Sequence, residues 1–390
     1  MSFEVPASVR PLRDAVHAFM TERVEPNENA LHEGDEDLLR DLQREAKAEG
    51  LWALGHPEEL GGGGLPFLDY VYVNEVQGRS EFGQIVLGTF TLQDSLMLHK
   101  YAAPAQRERF LMPLVQGDIW PSFAMTEPGI SSSDPTQLRT TATLEDGQWV
   151  IRGRKWFTTG AGRAAYTTVM CRTEQDVSPY LSYSMILVPT DTPGYTIVRD
   201  TPILGIHGGH YEVLYDEVRV PEENLLGPRG HGFVIAQERL GPGRIFHCMR
   251  WLGQAQRAFD LLCRRLHERE AFGGPLADKQ LLQQHVFESY HEIQAARLLT
   301  LHAAHKIDAG DQARVEISAI KVAGARMLHN VIDRAIQVHG AEGLTEDTPL
   351  ERMYRHARAG RVYDGPDEVH ISRTAQRILK EYKKGGNWTF

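Results

Sequence analysis

Phe123-Ala-Met125-Thr126-Glu127-Pro128-Gly129, followed by Ser131-Ser132-Ser133-Asp134 and then Lys155-Trp156-Phe157-Thr158-Thr159-Gly160, is the stretch on which the fold turns. The Pro-Gly turn and the run of hydroxyl residues gather exposed backbone N–H groups and short donors in one place. Such an arrangement suits a phosphate or the polar edge of an anionic cofactor. The Trp-Phe-Thr-Thr run sets an indole face beside hydroxyls, which suits a planar aromatic ring system. An ordinary turn followed by a hairpin accounts for the same residues. The segment alone leaves both readings open.

Around it the hydrophobic period is two. Thr140 to Leu144 and Gln148 to Arg152 flank Asp146-Gly147, a strong hairpin signal. Strand-like runs follow at 166–171, 182–188, 195–198 and 211–220, so residues 121–230 read as a small β-barrel or sandwich. The preceding residues 1–120 read as helical. Ser8 to Val24 is amphipathic, and Asp35 to Glu49 carries Leu38, Leu39, Leu42 and Ala46 before Gly50. Gly61 to Gly64 reads as a connector or as a close approach to a ligand. From 231 to 390 the helical period returns. Cys248, Leu252, Ala255, Phe259, Leu262 and Leu266 share one face, as do Ile317, Ile320, Gly324, Met327, Val331, Ala335 and Val338. With Leu281 to Ile307 and Glu368 to Tyr382 these predict a four-helix bundle.

A chain of 390 residues with 42% hydrophobic and 24% charged residues is ordinary for a globular protein and can bury a large core. A formal net charge of −10 argues against nonspecific binding to nucleic acid or anionic membrane. No run has the length of a membrane-spanning helix, and the first residues lack the basic flank and apolar core of a secretory signal. Cys171, Cys248 and Cys263 have no metal-type spacing, and the 17 His residues are scattered. The expectation is a cytoplasmic protein with buried thiols and no metal site.

Helices, a β-domain and a helical bundle in that order, together with six motifs, resemble the acyl-CoA dehydrogenase family over nearly the whole chain. The motifs are Thr126-Glu127-Pro128-Gly129 with Ser133-Asp134, Trp156-Phe157-Thr158, and Val218-Arg219-Val220-Pro221 running on to Gly227. Arg269-Glu270-Ala271-Phe272-Gly273, Gln337-Val338-His339-Gly340-Ala341-Glu342-Gly343 and Tyr363-Asp364-Gly365-Pro366 complete the set. The resemblance implies an α+β protein with an N-terminal α-helical domain, a middle β-barrel and a C-terminal four-helix bundle, binding FAD noncovalently. It implies that Phe123, Met125, Thr126 and Ser133 line the flavin and its pyrophosphate, with Trp156 and Thr158 flanking the isoalloxazine and Pro366 and Glu368 close by. Arg269, Phe272, Gln337, Val338, Gly340 and Ala341 match segments that hold the adenosine half across a subunit interface. A homo-oligomer follows, usually a tetramer built as two dimers. Arg269 paired with Glu268 or Glu270, and Gln337 as a solvated helix end, remain the plain alternatives.

Removing the α-proton of an acyl thioester needs a base, and hydrogen bonds to the thioester oxygen stabilise the developing enolate. The family's usual base at this position is Glu; here it is Asp364, whose reach is shorter by roughly 1–1.5 Å. Other members carry a Glu at the position of Gly243, and Glu238 falls five residues too early. Asp364 is thus the aligned carboxylate, with a helix cap at Gly365-Pro366 as its structural alternative. Ser133, Arg244, Tyr363 and Gly365 match substrate-contacting positions. Asp364-Gly-Pro-Asp-Glu-Val-His370, Ser131 to Asp134, Gly208-Gly209-His210 and Arg239 to Arg244 resemble the branch of family members ten and eleven. That branch handles 4-hydroxylated or phosphorylated acyl-CoAs. His207 and His210 are read as hairpin histidines or as ligands of a hydroxylated acyl chain or of the CoA. The implied activity is α,β-dehydrogenation of an acyl-CoA in fatty-acid β-oxidation, with electrons passed to an electron-transferring flavoprotein. The alternative on the same scaffold is a flavoprotein oxidase of the nitroalkane oxidase type, which also uses an Asp base.

Overall fold

The computed structural model describes residues 3–388 and divides into two compact units. One holds residues 1–55, 65–87 and 242–390; the other holds 56–64 and 88–241. By contacts, therefore, the first helices group with the C-terminal bundle: helix Phe67–Gln77 packs both on Arg10–Phe19 and on Gln280–Asp308.

The second unit is built on an eight-stranded sheet. Its strands are β1 (Pro121–Ala124), β2 (Thr141–Glu145), β3 (Gln148–Thr159), β4 (Tyr166–Arg172), β5 (Tyr183–Pro189), β6 (Tyr195–Asp200), β7 (His210–Pro221) and β8 (Leu225–Leu226). They run in the order β6-β7-β3-β1-β4-β5-β8, and β2 pairs with both β3 and β4. The β2–β3 turn forms as its sequence requires: Asp146 and Gly147 both take left-handed backbone angles, φ 49° and 74°. β4 and β5 are buried along nearly their whole length, as central strands covered on both faces must be. The core joins Trp149, Ile151, Val169, Cys171, Ile186, Val213 and Tyr215. Between Lys155 and Thr158 the β3–β7 register shifts, so Trp156 and Phe157 sit on a bulge, with Phe157 left-handed at φ 49°. Residues 61–64 form a closed turn, Gly64 N donating to His56 O at 2.8 Å, which matches the connector reading.

In the first unit Asp35 caps the helix Glu36–Ala48 by accepting from Leu38 N at 2.9 Å. The bundle helices are Gly232–Glu268, Gln280–Asp308, Arg314–His339 and Asp367–Lys383. The predicted face of Arg314–His339 is buried from Ile317 to Val338; on Gly232–Glu268 only Phe259 of the predicted set is half-exposed. Helix Phe67–Gln77 meets the long helix at two glycines that allow no side chain. A Cβ on Gly78 would lie 2.3 Å from Arg250 Cα, and one on Gly253 would lie 2.0 Å from Glu75 O. Ion pairs reinforce this contact: Arg79 with Glu25 and Asp260, Arg257 with Glu28, and Arg297 with Glu75. A further helix, Leu350–Ala359, was not legible in the sequence, because its Arg/His-rich run buries only Leu350 and Ala357. Among the described residues no helix is long and apolar enough to cross a membrane.

Candidate active site

In the sheet unit the 123–134 segment is pinned to β3 from both sides. Thr126 Oγ1 donates to Trp156 O at 2.6 Å, and Trp156 N donates to Thr126 O at 3.0 Å. Lys155, fully buried, donates from Nζ to Met125 O and to Glu127 Oε1, both at 2.9 Å. Glu127 also accepts from Arg139 N and Thr140 N, at 2.7 and 2.9 Å. Burial alone would push its carboxyl up; Lys155 and these two N–H groups outweigh that and hold it below the ordinary value. Phe123 lies under the Arg239 guanidinium at 4.4 Å, and Arg239 is itself held by Asp94. Ser132 Oγ closes the loop by accepting from Glu127 N, while Ser131 and Ser133 stay exposed. Thr158 Oγ1 is buried with no hydrogen-bond partner.

The two hairpin histidines are satisfied within this unit. His207 pairs with Asp200 at 2.8 Å, and His210 Nδ1 lies 2.9 Å from Thr159 Oγ1. Glu238 is taken up by Lys100 and the Tyr101 hydroxyl.

In the helical unit Asp364 occupies a left-handed turn, φ 54°, followed by Gly365 at φ 102°. Pro366, not Asp364, is the cap of helix Asp367–Lys383, so the helix-cap alternative does not describe it. Three groups hold the turn. Arg244 Nε and Nη2 donate to Asp364 O at 3.2 and 3.1 Å, and His370 Nε2 lies 3.0 Å from the same oxygen. His247 Nε2 lies 3.2 Å from the Asp364 carboxylate. Trp251 Nε1 donates to Tyr363 OH at 2.9 Å, and the rings of His247, Trp251 and Tyr363 pack within 6.0 Å of one another. Below the turn, Asp367 takes Arg361 and Arg326 at 3.0 and 3.2 Å, with Lys321 at 3.8 Å. Burial pulls Lys321 down to about 8, partly opposed by Asp367 and Asp364.

Sequence reasoning placed Arg244, Tyr363, Asp364 and Gly365 together, and the structure does so. It missed His247, Trp251 and His370. The signal was present: Arg244, His247 and Trp251 recur at spacings of three and four on one helix face. Pro366 lies in the same turn; the other expected residues of this unit are not gathered at Asp364. Arg269, Phe272, Gln337, Gly340 and Ala341 are exposed, Phe272 at 99%. Val338 is buried in its own helix's core face, so its side chain is already used. Glu368 is exposed at the start of the last helix.

The β-unit thus bears a Trp-Phe-Thr bulge beside a hydroxyl-rich turn, and the helical unit bears a clamped Asp-Gly-Pro turn. The chain belongs to the acyl-CoA dehydrogenase family, whose members are FAD-binding flavoprotein oxidoreductases. The family's N-terminal, middle and C-terminal domain models match residues 7–118, 122–218 and 230–379. The chain is similar to the probable acyl-CoA dehydrogenase FadE2 of Mycobacterium tuberculosis, 42% identical with 98% of each chain covered. It is similar also to acyl-CoA dehydrogenase family member 11 of Rattus norvegicus, 42% identical over 88% of this chain but 45% of that relative, so it spans less than half of that protein's length. Among solved structures it resembles a putative acyl-CoA dehydrogenase from Mycobacterium abscessus, with TM-score 0.92, 39% identity, 97% of this chain and 100% of that one covered.

The residues present fit FAD. The orphaned buried hydroxyl of Thr158 can satisfy a polar edge of a flavin ring, and the exposed hydroxyls of Ser131 and Ser133 offer donors of the kind a pyrophosphate takes.

Proposed function

We propose that the protein converts an acyl-CoA thioester to its trans-2-enoyl-CoA, with Asp364 abstracting the α-proton. The observation that carries the reading is the clamped turn. Arg244 and His370 fix the Asp364 carbonyl, His247 faces its carboxylate, and Trp251 and Tyr363 wall the site with apolar surface. A base whose backbone cannot drift suits a shorter side chain, because the missing methylene leaves little tolerance in reach. Arg244, Tyr363, Gly365 and Ser133 are proposed to contact the substrate, and the backbone N–H beside the base to donate to the thioester oxygen. Phe123, Met125, Thr126, Ser133, Trp156 and Thr158, with Pro366 and Glu368, are proposed to hold FAD. Bound FAD supplies the acceptor for the β-hydride.

The working segments are taken as 1–120, 121–230 and 231–390. The proposed electron acceptor is an electron-transferring flavoprotein, the pathway fatty-acid β-oxidation and the compartment the cytoplasm. A homotetramer is proposed from the exposed apolar side chains of Phe272, Leu281, Phe287 and Tyr290, which a chain acting alone would leave in water. In that assembly Arg269, Phe272, Gln337 and the backbone of 338–341 would reach a neighbouring subunit's FAD.

The test is Asp364→Asn. The variant is expected to retain FAD, since no proposed flavin contact is removed, and to lose acyl-CoA-driven bleaching of flavin absorbance by at least about 10²-fold. Bleaching at the wild-type rate would assign the proton to another group.

A further inference from the structure

The indole of Trp251, buried on helix Gly232–Glu268, is seated between two glycines of other helices. A Cβ on Gly324, inside Arg314–His339, would lie 3.2 Å from Trp251 Cε3. One on Gly360, at the end of Leu350–Ala359, would lie 3.2 Å from Trp251 Cζ2, the opposite corner of the same ring. Neither backbone calls for glycine: Gly324 is within a helix and Gly360 takes φ −55°. Glycine is a poor helix former beside alanine, and the room it leaves here is filled by the indole. So seated, Trp251 Nε1 donates to Tyr363 OH at 2.9 Å. An indole N–H can only donate, so the phenol oxygen accepts and the bond has one direction. Tyr363 is the residue that enters the Asp364 turn.

We propose that Trp251 is a positioning residue for the reaction, acting through its hydrogen bond to Tyr363. Held by Gly324 and Gly360, it fixes the Tyr363 hydroxyl, and Tyr363 in turn fixes the backbone that leads into Asp364. The assignment rests on Asp364 being the base. It adds a tie distinct from the bonds that Arg244 and His370 make to the Asp364 carbonyl. A turn held at one carbonyl can still pivot about it; a second tie one residue earlier removes that freedom. Reach is what the tie protects, because a displacement of about 1 Å at a reacting group can cost about 10²-fold in rate. Packing alone accounts for a buried indole in a glycine slot, but it gives no part to the N–H. The two accounts therefore differ in what happens when the phenol oxygen is removed.

The test is a double-mutant cycle on the FAD-loaded protein, read as anaerobic flavin bleaching by butyryl-, octanoyl- and palmitoyl-CoA. Trp251→Phe keeps an aromatic ring in the slot and removes the donor. Its limiting rate should fall about 10-fold, with the half-saturating acyl-CoA concentration changed by less than about 2-fold. In the Tyr363→Phe background the same substitution should change the limiting rate by less than about 2-fold, because the acceptor is already gone. A wild-type rate in Trp251→Phe, or equal factors in the two backgrounds, overturns the proposal. So does a loss seen only as a raised half-saturating concentration. If Trp251→Phe fails to fold, as judged by FAD content and melting temperature, wild type and Tyr363→Phe decide the matter by ultraviolet resonance Raman. The N–H band of one of the six tryptophans should then move to the position of a weaker hydrogen bond, and the limiting rate should fall. Identical tryptophan bands or an unchanged rate overturn the proposal. Asp364→Asn run in parallel separates the two assignments. If it bleaches at the wild-type rate, the base assignment fails. If it is inactive while Trp251→Phe costs the same factor in both backgrounds, only the role of Trp251 fails.

Discussion

Lys155→Met tests the claim that one buried ion pair holds in place the segment proposed to face the flavin. The substitution keeps most of the aliphatic volume, so the effect comes from charge and hydrogen bonding rather than from a cavity. Lys155 is 0% exposed and its ammonium serves two acceptors, Met125 O and Glu127 Oε1, each at 2.9 Å. Burial pulls the amine toward its neutral form, and the Glu127 carboxylate opposes that pull. Deleting it strands a carboxylate that is 4% exposed, and breaking a buried pair this way costs about 3–5 kcal/mol. For a unit of this size each kcal/mol lowers the melting temperature by about 2–4 °C. The expected loss is therefore roughly 6–20 °C, together with a lower ratio of 450 to 280 nm absorbance as FAD is released. The pH dependence has a definite sign. Glu127 is held below its ordinary value in the folded chain, so its contribution is full above about pH 4.5 and disappears as pH falls through the folded value. Lys155→Met should flatten that acid limb. A melting temperature within about 2 °C of wild type and undiminished FAD would refute the reasoning.

Three further outcomes follow from the same geometry. Lys321 titrates at about 8 in the fold against 10.5 unfolded, so the unfolded chain binds more protons between those values and stability should rise with pH across that window. Lys321→Met should abolish that rise and stabilise the protein at pH 7 by up to roughly 3 kcal/mol, since Asp367 keeps Arg361 and Arg326; a lower melting temperature at pH 7 would contradict this. Gly365→Ala forces a side chain onto φ 102° and sets Cβ 2.8 Å from His370 Nε2, so it should cost about 1–3 kcal/mol and displace His370 from the Asp364 carbonyl, lowering kcat while FAD stays bound; an unchanged kcat would show that the turn is slack. Phe287→Glu, at a side chain 67% exposed, should leave the chain's own fold within about 0.5 kcal/mol but reduce the assembly mass measured by light scattering; an unchanged mass would place the subunit interface elsewhere.

The strands were legible because their signals are local: Asp146-Gly147 can only turn, and alternation on either side sets which residues face the core. The bundle faces were legible for the same reason, with the period holding from Ile317 to Val338. Val338 shows the limit, since it answered both to the core period and to the resemblance, and its side chain went to the core. The bulge at Trp156-Phe157 was not legible, because it arises from a register shift against β7, about 55 residues away in the chain. Nor was the grouping of the first helices with the bundle, which depends on Gly78 and Gly253 meeting across a long separation. Asp364 was found by resemblance alone. His247 and His370, which lie against it, became visible only once a helix face and a turn had been brought together.

The central claim is that acyl-CoA thioesters reduce the flavin of this protein. Purified protein should be yellow, and anaerobic addition of straight, branched and 4-hydroxylated acyl-CoAs should bleach its 450 nm absorbance for at least one of them, with slow recovery in air and rapid recovery with an electron-transferring flavoprotein. Reduction by nitroalkanes and not by acyl-CoAs, or rapid re-oxidation in air with stoichiometric hydrogen peroxide, would contradict the account.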